Sequence, residues 1–274
     1  MTPSKRILIV PVNYNSYDYL DSYLKSVSEA WDMARDECRL TVYIADNSTK
    51  PEEVVLSKYN IPDLKIIRLD NPGYFGGALH IINNCLNVDD YDYVIISNVD
   101  MTFELSALKS LVNLNLSDDV GWISPYRFSE RYNSPIFVEK ENRPSKWKIK
   151  ALMWLFKFPM LHRIQKTRAT KRYKTLATEN HLRPKRIYSG CGSCFILTKR
   201  FFESYPRLHY PLFLYGEEIF IAELARTANL TVRYEPSIRL TNIGEISTGN
   251  VNSKTICNYN YKALKYLYNR FFND

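Results

Sequence analysis

No apolar run in this 274-residue chain approaches the ~20 residues that a bilayer-spanning helix requires, so no membrane span is expected. The start also lacks a secretion signal. Met1-Thr-Pro-Ser-Lys-Arg6 leads straight into Ile7-Leu-Ile-Val-Pro-Val12, which is short for a signal core and has no small-residue cleavage site after it. A first β-strand and a cytoplasmic protein are the expectation. Five cysteines, an odd number without regular spacing, speak against a disulfide framework and for a reducing compartment. Cys191-Gly-Ser-Cys194 has neither a second pair nor nearby histidines, so it reads as a tight turn of small residues rather than zinc or redox chemistry. Both standard phosphate fingerprints, GxGxxG and the lysine-bearing P-loop, are missing. No internal repeat or low-complexity linker divides the chain.

Acidic residues are scarce in one place. Between Lys140 and Arg186, fifteen Lys and Arg stand against Glu141 and Glu179, a local net of +13. The whole chain carries +8, so the remainder carries −5. Such a block needs an anionic partner. Trp147-Lys-Ile-Lys-Ala-Leu-Met-Trp-Leu-Phe156 mixes large apolar groups with cations, and Pro159 should stop any helix there. Aromatics and lysines on a short amphipathic segment suit an anionic membrane surface. A helical hairpin packed on the body with a solvated basic face is the alternative. Nucleic acid is not expected as a partner, because no helix-turn-helix or base-stacking motif accompanies the charge and the body is acidic.

With 45% hydrophobic residues the chain can bury a full core. Apolar strand-like runs at Ile7–Val12, Leu40–Ala45, Leu64–Leu69 and Tyr93–Ser97 alternate with helical patterns near Tyr19–Ala34, Glu52–Tyr59, Gly76–Asn87 and Glu104–Leu114. This alternation predicts βαβ units and a mainly parallel sheet. A polar stretch follows each strand: Asn13-Tyr-Asn15, Asp46-Asn-Ser48, Asp70-Asn-Pro-Gly73 and Asn98-Val-Asp100. Ligands of open α/β sheets bind at that edge, so four such loops make a credible nucleotide pocket. Asn98-Val-Asp100 offers the oxygen ligands that a hard divalent cation takes alongside a substrate phosphate. Gly73-Tyr-Phe-Gly-Gly77 permits close backbone approach to a ligand and presents free helix amides to an anion. Glu217 and Glu218 open an amphipathic segment and could supply a general base; a helix-capping role is the alternative. Tyr259 to Phe272 predicts a final helix.

Taken in order, Val12-Asn-Tyr-Asn15, Ile44-Ala-Asp-Asn-Ser48, Asn71-Pro-Gly-Tyr-Phe-Gly-Gly77, Ser97-Asn-Val-Asp100, Gly192-Ser-Cys-Phe-Ile196 and Tyr215-Gly-Glu-Glu218 resemble glycosyltransferase family 2, in particular its rhamnosyl- and galactofuranosyltransferase-like branch. The resemblance implies an α/β GT-A fold, a Rossmann-like nucleotide-diphospho-sugar transferase with a mainly parallel sheet flanked by helices. It divides the chain into a nucleotide-sugar-binding half (1–126), a basic aromatic-containing helical insertion (127–186) and an acceptor-side catalytic half with a C-terminal helix (187–274). It implies inverting transfer from a dTDP- or UDP-sugar to a glycan acceptor in surface polysaccharide biosynthesis. The basic insertion favours a polyprenyl-diphosphate-linked acceptor and an enzyme standing on the inner face of the plasma membrane. By the same resemblance, Asn15 and Asp46 face base and ribose, with Asp46 accepting the imide N–H. Asn71, Gly73, Gly76 and Gly77 line nucleotide and donor sugar, and Asn98 helps hold the diphosphate. Asp100, with Asn98 and Asn242, holds Mg²⁺ or Mn²⁺. Glu218 is the catalytic base and Glu217 orients acceptor or base. Two departures from the family pattern, Phe220 in place of a further acid and Asn242 in place of a histidine, bear on the metal. A catalytically inactive sugar- or nucleotide-binding relative is the competing reading, and a nucleotidyltransferase-like enzyme is disfavoured by the missing N-terminal Gly-rich Lys/Arg signature.

Overall fold

In a computed structural model, residues 4–136, 139–158, 182–244 and 252–273 are described. Continuous apolar sequence builds the centre. Strands β1 (Lys5–Asn13), β2 (Cys38–Asp46), β3 (Asp63–Arg68) and β4 (Tyr93–Asn98) run parallel in the order β3-β2-β1-β4. Alternation along β1 sends Ile7 and Ile9 into one core layer and Leu8 and Val10 into the other, and both layers are dry. Helices α1 (Tyr17–Asp32) and α3 (Ala107–Val112) cover the first layer, α1 through Leu20, Tyr23, Leu24 and Val27 at helical spacing. Helix α2 (Tyr74–Asn84) covers the other.

Beyond β4 the sheet becomes mixed. β9 (Cys194–Thr198) runs antiparallel to β4 and to β6 (Val120–Ser129). β10 (Thr231–Asn242) runs parallel to β6, and β5 (Met101–Phe103) closes the path antiparallel to β10. Short β7 (Ser134–Pro135) pairs with β6, and β8 (Lys185–Ile187) with β10. The register of β10 shifts between Glu235 and Arg239, where Pro236 has no N–H to give.

The expected helix at Glu52–Tyr59 is only a single 3₁₀ turn, Leu56–Lys58. The β-branched Val54 and Val55 disfavour a longer helix. The turn is pinned from outside, since the Tyr59 hydroxyl donates to Asp21 at 2.6 Å. Arg127–Ser129 and Lys185–Arg186, placed in the insertion by sequence, belong to sheet strands. Between them helix α4 (Lys146–Lys157), capped by Ser145, packs on α7 (Ser253–Leu267), and a π-helical turn follows α7 at Tyr268–Phe272. The expected stop at Pro159, the rest of the basic stretch to residue 181, and residues 245–251 lie outside the described residues. Helix α5 (Lys199–Ser204) follows β9, and α6 (Glu217–Thr227) precedes β10.

One charged cluster fastens the insertion to the body. Glu223 of α6 is fully buried and accepts from Arg143 at 2.7 and 3.0 Å, from the Tyr188 hydroxyl at 2.7 Å and from Arg226 at 3.0 Å. Burial alone would raise its pKa, yet these donors hold it below the ordinary value. Arg143 also donates to the Phe271 carbonyl, so the chain leading into α4 is tied to both α6 and the C-terminal turn.

Candidate active site

Parallel register brings the strand ends level. Asn13 pairs with Asp46 across β1 and β2, and Val12 pairs with Asn98 across β1 and β4. The loops that follow wall a cavity of about 680 Å³ with Tyr14, Asn47, Asn71 and Asp100. Its far side comes from the second half of the chain: the Gly190–Ser193 turn, the Phe213–Tyr215 loop, Glu217 and Glu218, and Tyr259 of α7. Residues more than a hundred positions apart therefore share one chamber.

The acidic pair is set by backbone geometry. Tyr215 and Gly216 both take left-handed conformations, φ 73° and 86°, immediately before α6. A methyl on Gly216 would meet Leu267 and the Tyr210 hydroxyl at 2.9 Å, so only glycine fits between this turn and α7. The two carboxyls then diverge. Glu217 is buried, and desolvation, with the Glu218 charge adding to it, pushes its carboxyl from 4.5 to about 8. Its Oε1 is buried without a hydrogen-bond partner among the described residues. Glu218 is more exposed, and its Oε1 lies 3.6 Å from the Lys140 ammonium. A carboxyl held neutral cannot serve as a base at neutral pH, which leaves Glu218 as the candidate of the pair.

The glycine-rich segment is a structural joint as well as a wall. Gly73 has φ 90°, and a Cβ there would fall 2.0 Å from the Phe213 carbonyl oxygen. Its own carbonyl accepts from Asn47 Nδ2 at 2.9 Å, and that amide lies flat against Gly77. Gly76 and Gly77 sit inside α2 and do not line the cavity; Gly73 and Asn71 do.

Two residues assigned to base and ribose stand behind the wall. Asp46 is 1% exposed, and its carboxylate accepts from Tyr17 at 2.7 Å, Ser48 at 2.6 Å and Asn13 at 3.1 Å. Asn15, at φ 49°, is exposed and bonds to Thr49 and the Lys50 amide. Together they brace the β1 and β2 loops, while their neighbours Tyr14 and Asn47 face the cavity.

At the strand edge, Asp100 and Asn98 line the cavity and offer a carboxylate and an amide oxygen. Asn242, expected as a third ligand, is not on the wall; its Nδ2 turns to Met101 Sδ at 3.4 Å. No cluster of three or more His, Cys, Asp or Glu able to hold a metal occurs among the described residues. The donor set therefore fits a cation carried in on a diphosphate, with phosphate and water completing the shell, better than a resident ion.

Sequence reasoning missed Lys140, hidden in a long basic block, and Tyr74, overlooked among the glycines. The aromatic pair Phe213 and Tyr259, ring centroids 5.5 Å apart, joins a loop and a helix that only the fold brings together.

No family model matches the sequence, and no curated protein does. Solved structures match by fold. GalNAc-T7, in a crystal structure with UDP, GalNAc and Mn²⁺, superposes with TM-score 0.64 and 14% identity over 97% of this chain and 48% of that one. S. aureus TarS gives 0.56 and 12% over 98% of this chain and 44% of that one. TarS 1-349 gives 0.54 and 13% over 97% and 72% respectively. The chain thus spans about half the length of the first two. The mixed sheet with its flanking helices is a GT-A fold.

Proposed function

We infer that the protein is a glycosyltransferase that moves a sugar, with inversion, from a nucleotide-diphosphate donor to a glycan acceptor. The observation that carries this reading is the shared cavity: Asp100 and Asn98 at the edge of the parallel strands stand in one chamber with Glu217 and Glu218 from the other half of the chain. Glu218 is the base, removing the acceptor hydroxyl's proton as the new glycosidic bond forms. Its neighbour Glu217, neutral at pH 7, orients a substrate hydroxyl instead. A Mg²⁺ or Mn²⁺ ion held by Asp100 and Asn98 would stabilise the charge that grows on the departing diphosphate. The pairing of UDP and Mn²⁺ in the GalNAc-T7 structure supports both donor class and cation.

A UDP- or dTDP-sugar donor, hexosyl or rhamnosyl, is the reading that the sequence resemblance to glycosyltransferase family 2 favours. The acceptor is a polyprenyl-diphosphate-linked glycan of a surface polysaccharide, reached from the inner face of the plasma membrane. Supporting this, Trp147, Trp154 and Phe158 are all exposed (70%, 60% and 46%) around a helix that also presents lysines. No helix among the described residues is long and apolar enough to cross a membrane, so a peripheral attachment through α4 is proposed.

A thermal-shift panel of UDP- and dTDP-sugars with and without Mn²⁺ tests the core of the reading, followed by transfer assays with any that bind. A ligand at a hundred times its Kd should stabilise by about 2.7 kcal/mol. Failure of every nucleotide-sugar to shift the transition would remove the proposed activity.

A further inference from the structure

The buried polar atoms of the cavity wall that have no hydrogen-bond partner among the described residues include the Tyr74 hydroxyl and Glu217 Oε1. They come from opposite halves of the chain, Tyr74 from the first turn of α2 and Glu217 from the first turn of α6. Each is held in place by its own glycine hinge, Gly73 and Gly216, both at positive φ. Leaving such atoms unpaired costs free energy, and folded proteins rarely tolerate it without a reason. Burial drives the Tyr74 phenol well above its ordinary pKa, and the nearby Glu217 carboxyl adds to that rise. The phenol therefore remains a donor, and Glu217, also raised, can accept or donate.

We propose that the Tyr74 hydroxyl and the open oxygen of Glu217 form a subsite for one hydroxyl group of a bound sugar, and so set which sugar the cavity accepts. A hydroxyl both donates and accepts, and these two atoms supply the complement of each. The inference rests on the glycosyltransferase reading, and it names Tyr74 as a specificity residue that touches substrate without taking part in proton transfer. A hydroxyl in this place would be distinguished strongly from hydrogen, because its loss would leave both buried groups unpaired again.

Donor and acceptor sugars both carry hydroxyls, and the test separates them. Transfer is measured for wild type and Tyr74→Phe with nucleotide-sugars that bind in a UDP- and dTDP-sugar panel and their single-deoxy analogues. The same series is then run on p-nitrophenyl monosaccharide acceptors. In the wild type, one deoxy position in one of the two series should lower kcat/KM by about a hundredfold or more. Tyr74→Phe should lower kcat/KM for the parent sugar at least about tenfold and abolish most of the discrimination at that position alone. Thermal stability serves as the control: removing an unpaired buried hydroxyl should leave Tm unchanged or raised. A drop in Tm of several degrees, or unchanged discrimination in Tyr74→Phe, would overturn the proposal. If the wild type binds no nucleotide-sugar at all, the glycosyltransferase reading fails and takes the subsite with it.

Discussion

The Lys140 ammonium stands 3.6 Å from Glu218 Oε1, joining the root of the basic segment to the candidate base. Lys140 is fixed there by its backbone, which exchanges hydrogen bonds with Ser189 at 2.9 and 3.1 Å. Both side chains are partly exposed, so the pair contributes little to stability. Lys140→Met should accordingly leave Tm nearly unchanged while altering transfer kinetics. Glu218→Gln should keep nucleotide-sugar affinity and lose about 10²–10⁴ in kcat, because the amide keeps the shape and cannot take a proton. Normal turnover by Glu218→Gln would show that the base lies elsewhere.

Asp100→Ala should abolish turnover without unfolding the chain. The carboxylate sits just past the end of β4 on the cavity wall, and the backbone carbonyl of the same residue accepts from the Ile243 amide at 2.9 Å, a bond that the substitution leaves in place. Circular dichroism should match the wild type. Near-normal transfer by this variant in chelator-treated buffer would remove Asp100 from any role at the diphosphate.

Gly73→Ala is expected to be the most damaging single-methyl change in the wall. The added carbon would overlap the Phe213 carbonyl at a φ that alanine rarely adopts, so two loops must separate. Stability should fall by about 2 kcal/mol or more, and nucleotide binding should fall with it. Gly76→Ala is the comparison, since a Cβ there meets only the Pro72 ring at 3.2 Å. Equal, small effects of both substitutions would refute the joint.

Glu217 gives stability a pH dependence whose sign follows from its raised pKa. Below about 4.5 both folded and unfolded chains hold the proton, and burial of this carboxyl carries no ionic penalty. Between there and about 8 only the folded chain holds it, so the contribution of this group to stability declines as pH rises. Glu217→Gln should flatten that decline and be the more stable protein at pH 8. Urea midpoints at pH 5, 6.5 and 8 give the comparison, and parallel curves for the two proteins would contradict the assignment.

Charge on α4 should govern attachment to anionic vesicles. Lys150 is a poor choice for testing this, because its ammonium lies 5.1 Å from the centres of both the Trp147 and Tyr268 rings. Lys146→Glu with Lys148→Glu avoids that packing. The double variant should bind vesicles less and lose more activity on a lipid-linked acceptor than on a short soluble one, and wild-type binding should weaken with salt. Equal losses on both acceptors would sink the membrane reading.

The expected helix at 52–59 shows where periodicity misleads: its apolar spacing was real, but the paired valines Val54 and Val55 disfavour helix and only one turn forms. Asp46 shows a subtler limit. Its place after β2 was legible, yet whether a carboxylate there faces a ligand or its neighbours depends on side-chain direction. Here Tyr17, Ser48 and Asn13 claim it, and the adjacent Asn47 takes the wall.

The sequence by itself determined the parallel strands, their order of loops and the glycine-rich entry into α2 at Gly73, because apolar runs and backbone permissions are local properties. It determined which residues carry oxygen to the strand edge for the same reason. Tertiary structure alone decided that Glu217 is buried in a wall it shares with Tyr74 while Glu218 meets Lys140. Neighbouring carboxyls on a helix differ in direction by about 100°, and what each then faces is set by chain more than seventy residues away in sequence. Burial, not residue type, sets the Glu217 carboxyl apart from its neighbour on the same helix.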